Sequence, residues 1–365
     1  EGETWDNVTP RGAPEGMINA IEVSKHDAAT AYITITAYKM GDFRPYIYKT
    51  TNYGRSWKRL DKGLPQDTFV RVVREDPVRQ GLLYAGGEKE MFVSFDDGKN
   101  WQSLKLNLPP VPITDLKIRQ GDLIAATQGR GFWVLDDLSM LQTIKGDESK
   151  ADLALFVSGD NSLMRTGGGG SGIRAANPAS GVHFSYFLKE DAEGPLTLDI
   201  KNAAGEVIRT YHSAESDRDR CMIANTPPRL KRTYNYPTTK QGMNSWTWDM
   251  RKAGTICIPD IRIFAGYGGP TVVPGDYSAT LTVDGMQQSV SFTVAPDPRI
   301  EASQQQYDDL AMRMDQAMGL MNQLLADLDG LRPSRAMVIQ LMSEYVAGEL
   351  HSAGAAALDK ITAWE

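Results

Sequence analysis

Four charged residues stand in short, glycine-bearing segments where chemistry could be done. Gly41-Asp-Phe-Arg44 carries Arg44, Gly87-Glu-Lys-Glu90 carries Glu88 and Glu90, and Gln128-Gly-Arg130 carries Arg130. Two carboxylates facing each other across a cleft can act as acid and base on a glycosidic bond. No motif fixes roles for these four, so they are candidate binding residues and no catalytic residue is assigned. The plain alternative is that they are solvated loop charges. His26, His183, His212 and His351 are scattered and offer neither metal-ligand spacing nor a nucleophile relay. Cys221 and Cys257 are the only cysteines. They are too few for a disulfide scaffold and lack metal-ligand spacing. A bridge between them would stabilise an exported chain by roughly 3–4 kcal/mol, and two free buried thiols remain the alternative. The run Gly167–Gly172 lacks the Lys-Ser/Thr of a phosphate loop and reads as a flexible loop. No cofactor or metal is therefore expected.

The segments that must position these residues repeat. Thr50-Thr-Asn52-Tyr-Gly54-Arg-Ser-Trp57 and Ser94-Phe-Asp96-Asp-Gly98-Lys-Asn-Trp101 share one pattern, and Gly2-Glu-Thr-Trp5 matches its second half. Trp5, Trp57 and Trp101 lie 52 and 44 residues apart, a period that suits four short strands per repeat, as in a propeller blade. In each motif the Asn or Asp side chain accepts backbone N–H groups within the turn, and the glycine permits positive φ. The tryptophan is expected to pack the turn against its own hairpin. Asn52 and Asp96 are thus turn builders rather than catalytic groups. Alternating runs bounded by Gly and Pro predict strands over 17–24, 30–38, 45–50 and 56–60, then 68–74, 81–85, 91–95 and 100–104, then 113–118, 122–127 and 131–135. In such blades the motifs join strands three and four at one end. Arg44, Glu88, Glu90 and Arg130 join strands two and three at the other end, on loops of the kind that carry binding residues.

Composition narrows the function classes. Lys+Arg is 39 against Asp+Glu 46, a net charge of −7, which argues against a nucleic-acid backbone binder. No apolar run approaches the ~20 residues of a membrane span. With Gly 34 and Pro 19, turn formers punctuate most of the chain, favouring short strands. The repeat stops near Lys145–Lys150, which reads as a linker. Six or seven strands follow, including 182–188, 196–201, 207–211, 244–249, 275–283 and 288–294, and suggest an Ig-like sandwich. Ser303-Gln-Gln-Gln306 is a capping box that starts a helix. Tyr307, Leu310, Met314, Ala317, Met321, Leu324, Leu328 and Leu331 form a stripe expected to be core. Pro333 is expected to break the helix and turn the chain into a hairpin. The fold class is mainly β: partial Asp-box β-propeller blades (1–142), an Ig-like β-sandwich (143–298) and a C-terminal α-helical hairpin (299–365).

Several pieces in order carry a resemblance. They are the two turn motifs, Leu108-Pro-Pro-Val-Pro-Ile-Thr-Asp-Leu-Lys117, Ala126-Thr-Gln-Gly-Arg-Gly-Phe-Trp-Val-Leu-Asp-Asp137, Gly242-Met-Asn-Ser-Trp-Thr-Trp-Asp-Met-Arg251, Pro274-Gly-Asp-Tyr277 and Asp297-Pro-Arg299. The chain resembles the C-terminal third of bacterial exported proteins with sortilin-like, BNR (Asp-box) repeat propellers, of the glycosyl hydrolase-like type. The resemblance implies export and an Ig-like module after the propeller. It implies that Thr50, Asn52, Gly54, Trp57, Ser94, Asp96, Gly98 and Trp101 are structural Asp-box positions. A sialidase site would need an arginine cluster with a Tyr–Glu pair, which this segment does not show as a motif. Residues 1–142 are expected to begin inside a blade and to complete a propeller with the remainder of a parent polypeptide. The expected ligand is a peptide, protein or glycan; the alternatives are a glycoside hydrolase with carboxylates on the propeller face and a structural or assembly module.

Overall fold

The computed structural model describes residues 2–144, 151–159, 161–164, 180–226, 236–261, 263 and 266–364. The linker Lys145–Lys150 and the glycine run Gly167–Gly172 lie outside the described residues. Contacts divide the chain into two units, Glu1–Lys150 with Ser158–Asp160, and Ala151–Val157 with Asn161–Glu365.

The first unit is built from three antiparallel meanders. Strands β1 (Met17–Val23), β2 (Ala31–Thr36), β3 (Ile47–Thr50) and β4 (Lys58–Arg59) form one sheet in sequence order. Strands β5 (Val70–Glu75), β6 (Leu83–Gly87), β7 (Met91–Ser94) and β8 (Gln102–Ser103) repeat it. A third sheet holds only β9 (Ile113–Arg119), β10 (Asp122–Thr127) and β11 (Phe132–Leu135). Side-chain alternation explains the stacking. On β6, Leu83 and Ala85 join Tyr32, Ile47 and Trp101 on the side of the first sheet, while Tyr84 joins Ile113, Leu116 and Leu123 on the side of the third. The middle sheet is therefore buried on both faces, which is why β6 and β7 are nearly all apolar. After β11 the chain enters a short helix, α1 (Ser139–Thr143), instead of a fourth strand. Leu138 and Leu141 fill the core there, and Arg79 donates to the carbonyls of Leu141, at 2.9 Å, and Ile144.

The second unit contains β12 (Leu153–Val157), β13 (Val182–Leu188), β14 (Thr197–Asn202), β15 (Val207–His212), the helix α2 (Asp217–Asn225), β16 (Gly242–Trp248), β17 (Gly275–Val283) and β18 (Met286–Val294). The sheets are β12-β13-β16 and β15-β14-β17-β18, all antiparallel, and they share one core. Trp248 is fully buried there, edge-on to Tyr277 at 5.8 Å and Phe292 at 6.0 Å. Strand β12 has no counterpart among the strands expected from the sequence. Cys221 of α2 and Cys257 are joined by a disulfide, with Cα atoms 6.0 Å apart. Next to it, the buried Asn225 carboxamide donates to the carbonyls of Ile258 and Ile261, each at 2.7 Å, and accepts the Asp260 amide at 2.8 Å.

The helices α3 (Gln304–Glu344) and α4 (Glu349–Trp364) correct two expectations. Ser303 and Gln306 do form a capping box, but α3 continues through Pro333 and the chain turns at 345–348. An internal proline costs about 3 kcal/mol, and here tertiary packing outweighs it. Helix α4 lies so close to α3 that a Cβ on Gly354 would stand 2.6 Å from Met342 Cγ. The second correction concerns the buried face. Leu310, Met314, Met321 and Leu324 of the predicted core stripe are exposed. The helix is held instead by a neighbouring row. Asp315 pairs with Lys252 at 2.6 Å, Asn322 Oδ1 accepts the Ile256 amide at 2.9 Å, and Leu325 is buried.

Candidate functional site

The two complete turn motifs fold alike at the ends where strands three and four meet. Thr50 Oγ1 accepts the Gly54 amide at 2.9 Å and donates to Asn52 Oδ1 at 3.0 Å, and Asn52 Oδ1 accepts the Ser56 amide at 2.9 Å. Ser94 Oγ accepts the Gly98 amide at 2.9 Å and donates to Asp96 Oδ1 at 2.9 Å, and Asp96 Oδ1 accepts the Asn100 amide at 2.8 Å. Asp96 is partly buried, which raises a carboxyl pKa, yet the hydrogen bonds from Asn100 outweigh this and hold it below its ordinary value. The Asn52 carboxamide and the Asp96 carboxylate are both engaged by their own turns. The tryptophans do more than pack their own hairpins. The Trp101 indole donates to the Leu60 carbonyl at 3.0 Å, and that of Trp57 to the Val8 carbonyl at 2.6 Å. Each N–H reaches back three residues beyond the preceding tryptophan, while the rings also pack on their own hairpins, Trp57 with Tyr48 and Trp101 with Phe92.

Beside these turns lies a buried polar network that the sequence reading missed. Asp76 is fully buried. Its carboxylate accepts the amides of Val78 and Arg79 at 2.8 Å, the Tyr84 hydroxyl at 3.2 Å, and Gln142 Nε2 at 3.1 Å. The Tyr32 hydroxyl donates to Glu75 at 3.2 Å and to Asp97 at 2.9 Å, and Lys49 pairs with Asp97 at 2.5 Å. Burial and the two carboxylates push the Tyr32 hydroxyl far up, so it stays a donor. The available signal was a repeat. Ser24 and Asp76 each stand eight residues before a buried tyrosine, Tyr32 and Tyr84. Ser24 Oγ accepts the amides of His26 and Asp27 as Asp76 accepts its own turn amides.

At the other end, the loops joining strands two and three carry the four candidate binding residues. Asp42 accepts Arg44 Nε at 2.9 Å and Nη2 at 2.7 Å, and the Tyr46 hydroxyl at 2.6 Å. The Arg44 guanidinium, then the Tyr46 hydroxyl, hold the Asp42 carboxyl well below the usual range. Arg44 thereby faces Tyr46, which packs with Ile33 and Ile35 on the far side of the first sheet. Phe43 turns the other way, 6.3 Å from Phe69. Tyr38 stacks on Phe69 at 4.8 Å, and the Arg71 guanidinium lies 4.7 Å over the same ring. Arg71 also pairs with Glu88. Phe43 and Met40 beside this group are exposed.

The structure thus separates the predicted set. Glu88 leans to Arg71 on the first strand of its sheet. Glu90 accepts the Ser103 hydroxyl on the fourth. The two carboxylates are drawn to opposite edges and do not form a facing acid pair. Arg130 is exposed on its own loop, where its carbonyl accepts the Trp133 indole at 3.2 Å. What converges instead is Tyr38, Phe43, Phe69, Arg71 and Glu88, an aromatic platform edged by an ion pair. Of these, only Glu88 was a sequence candidate. Arg71 was visible as a charge set between Val70 and Val72 in a buried strand. Among the described residues no group of three or more His, Cys, Asp or Glu could hold a metal, and no helix is long and apolar enough to cross a membrane.

Comparison with known proteins gives structural likenesses only. No protein-family model and no curated protein matches the chain. The chain is similar to YCF48 bound to D1 peptide, at 16% identity over 37% of this chain and 42% of that one, with a TM-score of 0.29. It is similar to the extracellular domain of a putative hybrid two-component system from B. thetaiotaomicron, at 10% identity over 77% and 37%, with a TM-score of 0.26. It is also similar to an ancestral GH74 enzyme, at 12% identity over 76% and 38%, with a TM-score of 0.23. The chain spans less than half the length of each. At these scores none carries a function across.

Proposed function

We propose that the first unit belongs to an Asp-box, sortilin-like β-propeller of an exported protein. In this reading its strand-two-to-three face binds a peptide, protein or glycan through the platform at Phe69. The supporting observation is the convergence of Tyr38, Phe43 and Arg71 on one phenylalanine, with Glu88 beside them. Phe69 is itself buried beneath Tyr38 and Arg71, so the stacking area for a sugar ring or an apolar side chain is the exposed ring of Phe43, and the edging charges orient the ligand. We further propose that the outer sheets receive further blades of the same polypeptide. Ile21 and Val23 on the first sheet, and Phe132 and Val134 on the third, are apolar and more than half exposed, a pattern that marks an interaction surface. The two sheets of the second unit are read as an Ig-like module.

Titrating the chain against glycan and peptide panels tests the platform. Binding that falls about tenfold in Phe43→Ala and in Arg71→Ala, with folding intact by circular dichroism, supports it. Binding indifferent to both substitutions refutes it. Glycan turnover that disappears in Glu88→Gln or Glu90→Gln would establish the hydrolase reading instead.

A further inference from the structure

Helix α3 carries three parallel rows between residues 307 and 328. One row, Tyr307, Ala311, Asp315, Met318, Asn322 and Leu325, faces the helix's own unit, as the contacts of Asp315, Asn322 and Leu325 show. The next row, Leu310, Met314, Ala317, Met321, Leu324 and Leu328, repeats at alternating four- and three-residue steps, the spacing of a coiled-coil seam. It has no partner in its own unit over most of this length; Leu310 is 59% exposed and Leu324 46%. The third row borders that seam on its free side. It consists of Arg313, Leu320 and Asp327, seven residues apart and all exposed; Asp327 accepts Gln323 Nε2 of the same helix at 2.9 Å and lies beside Lys360 and Ile361 of α4, with its carboxylate still open to solvent.

We propose that this seam is the contact surface for a second copy of the same chain, docked antiparallel about a two-fold axis at Gly319. The identity of the occupant comes from the arrangement of charge. With the axis at Gly319, Leu310 meets Leu328 of the second copy, Met314 meets its Leu324, and Ala317 meets its Met321. In an antiparallel pair the bordering row of one helix faces the same row of the other. Arg313 then meets Asp327 of the second copy, and by symmetry Asp327 meets its Arg313. Leu320, 75% exposed, meets its own equivalent between the two ion pairs. One apolar centre flanked by two opposite-charge pairs is self-complementary, which is what an isologous contact requires. A parallel pair would set Arg313 against Met318 and Leu320 against Leu325, residues of the row that faces the helix's own unit, and would leave those charges without partners.

The test is sedimentation of the 365-residue chain over a wide concentration range. A reversible dimer is expected. Arg313→Asp alone and Asp327→Arg alone each convert two attractive contacts into two repulsive ones, and each should weaken the dimer about tenfold. The combined R313D/D327R variant should return to within about threefold of the original. Leu320→Lys, which sets two ammonium groups against each other on the axis, should yield monomer. All three positions are exposed, and circular dichroism checks that helix content is kept in each of the four variants. A chain that is monomeric throughout overturns the proposal. So does association that ignores the charge reversals, which would place the contact elsewhere, for example on the open sheet faces.

Discussion

Replacing Asp76 with alanine removes the acceptor that ties the β5–β6 connection to helix α1. Four donors converge on that carboxylate: the amides of Val78 and Arg79, the Tyr84 hydroxyl and Gln142 Nε2. The residue is fully buried, so the donors lose their partner in a place where water replaces it poorly. An orphaned buried donor costs about 1–3 kcal/mol. With the turn amides and the Tyr84 hydroxyl bearing most of the loss, the expected destabilisation is about 3–5 kcal/mol. For a unit of this size that is a fall in melting temperature of about 6–20 °C. Asp76→Asn keeps an acceptor for the two turn amides, and both Tyr84 and Gln142 can reorient, so its cost should be about 1–2 kcal/mol. Thermal melts report the size of the effect, and hydrogen exchange by mass spectrometry places it. Peptides covering 70–87 and 139–144 should lose protection first, because they share the network. Two results would refute the reasoning: a loss below about 1 kcal/mol in Asp76→Ala, or equal losses in the alanine and asparagine variants. Either would mean that the geometry does not report the energetics of this carboxylate.

Two further outcomes are expected. Gly98→Ala should destabilise the first unit by more than Gly41→Ala. Both glycines have positive φ, near 75° and 80°, but a Cβ on Gly98 would stand 2.7 Å from Leu60 Cδ1, whereas nothing lies within 4 Å at Gly41. Each carries the left-handed penalty of about 1–2 kcal/mol, and chemical denaturation of the two variants isolates the packing cost at Gly98. In the second unit, hydrogen bonds from Arg299 draw the Asp297 carboxyl down to about 2. Because the folded value lies below the unfolded one, its contribution is complete above the ordinary carboxylate range. It is lost as pH falls from about 4 toward 2. Melting temperatures measured across that window should fall less steeply in Asp297→Asn than in the parent, and parallel curves would count against the pairing.

The readable and unreadable parts of this protein divide by distance along the chain. The strands of the first unit follow from alternation, or in β6 and β7 from short apolar runs bounded by turn residues, and the turns at Thr50–Trp57 and Ser94–Trp101 follow from contacts spanning two to four residues. The capping box at Ser303 is equally local. Each of these is decided by neighbours that the sequence displays side by side. The candidate site was only half legible for the opposite reason. Arg44, Glu88, Glu90 and Arg130 were identified by type and loop position, but the partners of Glu88 and Glu90 stand 17 and 13 residues away, and only that of Arg44 is a near neighbour. Glu88 is taken by Arg71, Glu90 by Ser103 and Arg44 by its own Asp42. Phe69 becomes a platform only because the loop of the preceding sheet brings Tyr38 and Phe43 to it.

By itself the sequence determined a mainly β chain, the repeat that organises its first part, and the turn chemistry that closes each repeat. Only the tertiary structure decided which row of α3 is buried and that Pro333 lies inside that helix. It also decided that the motif tryptophans grip the preceding repeat and that Asp76 anchors α1. The physical reason is the same in each case. A local preference of up to about 3 kcal/mol, such as that against an internal proline, is overturned when packing between residues distant in sequence contributes more, and a linear chain does not reveal those partners until it has folded.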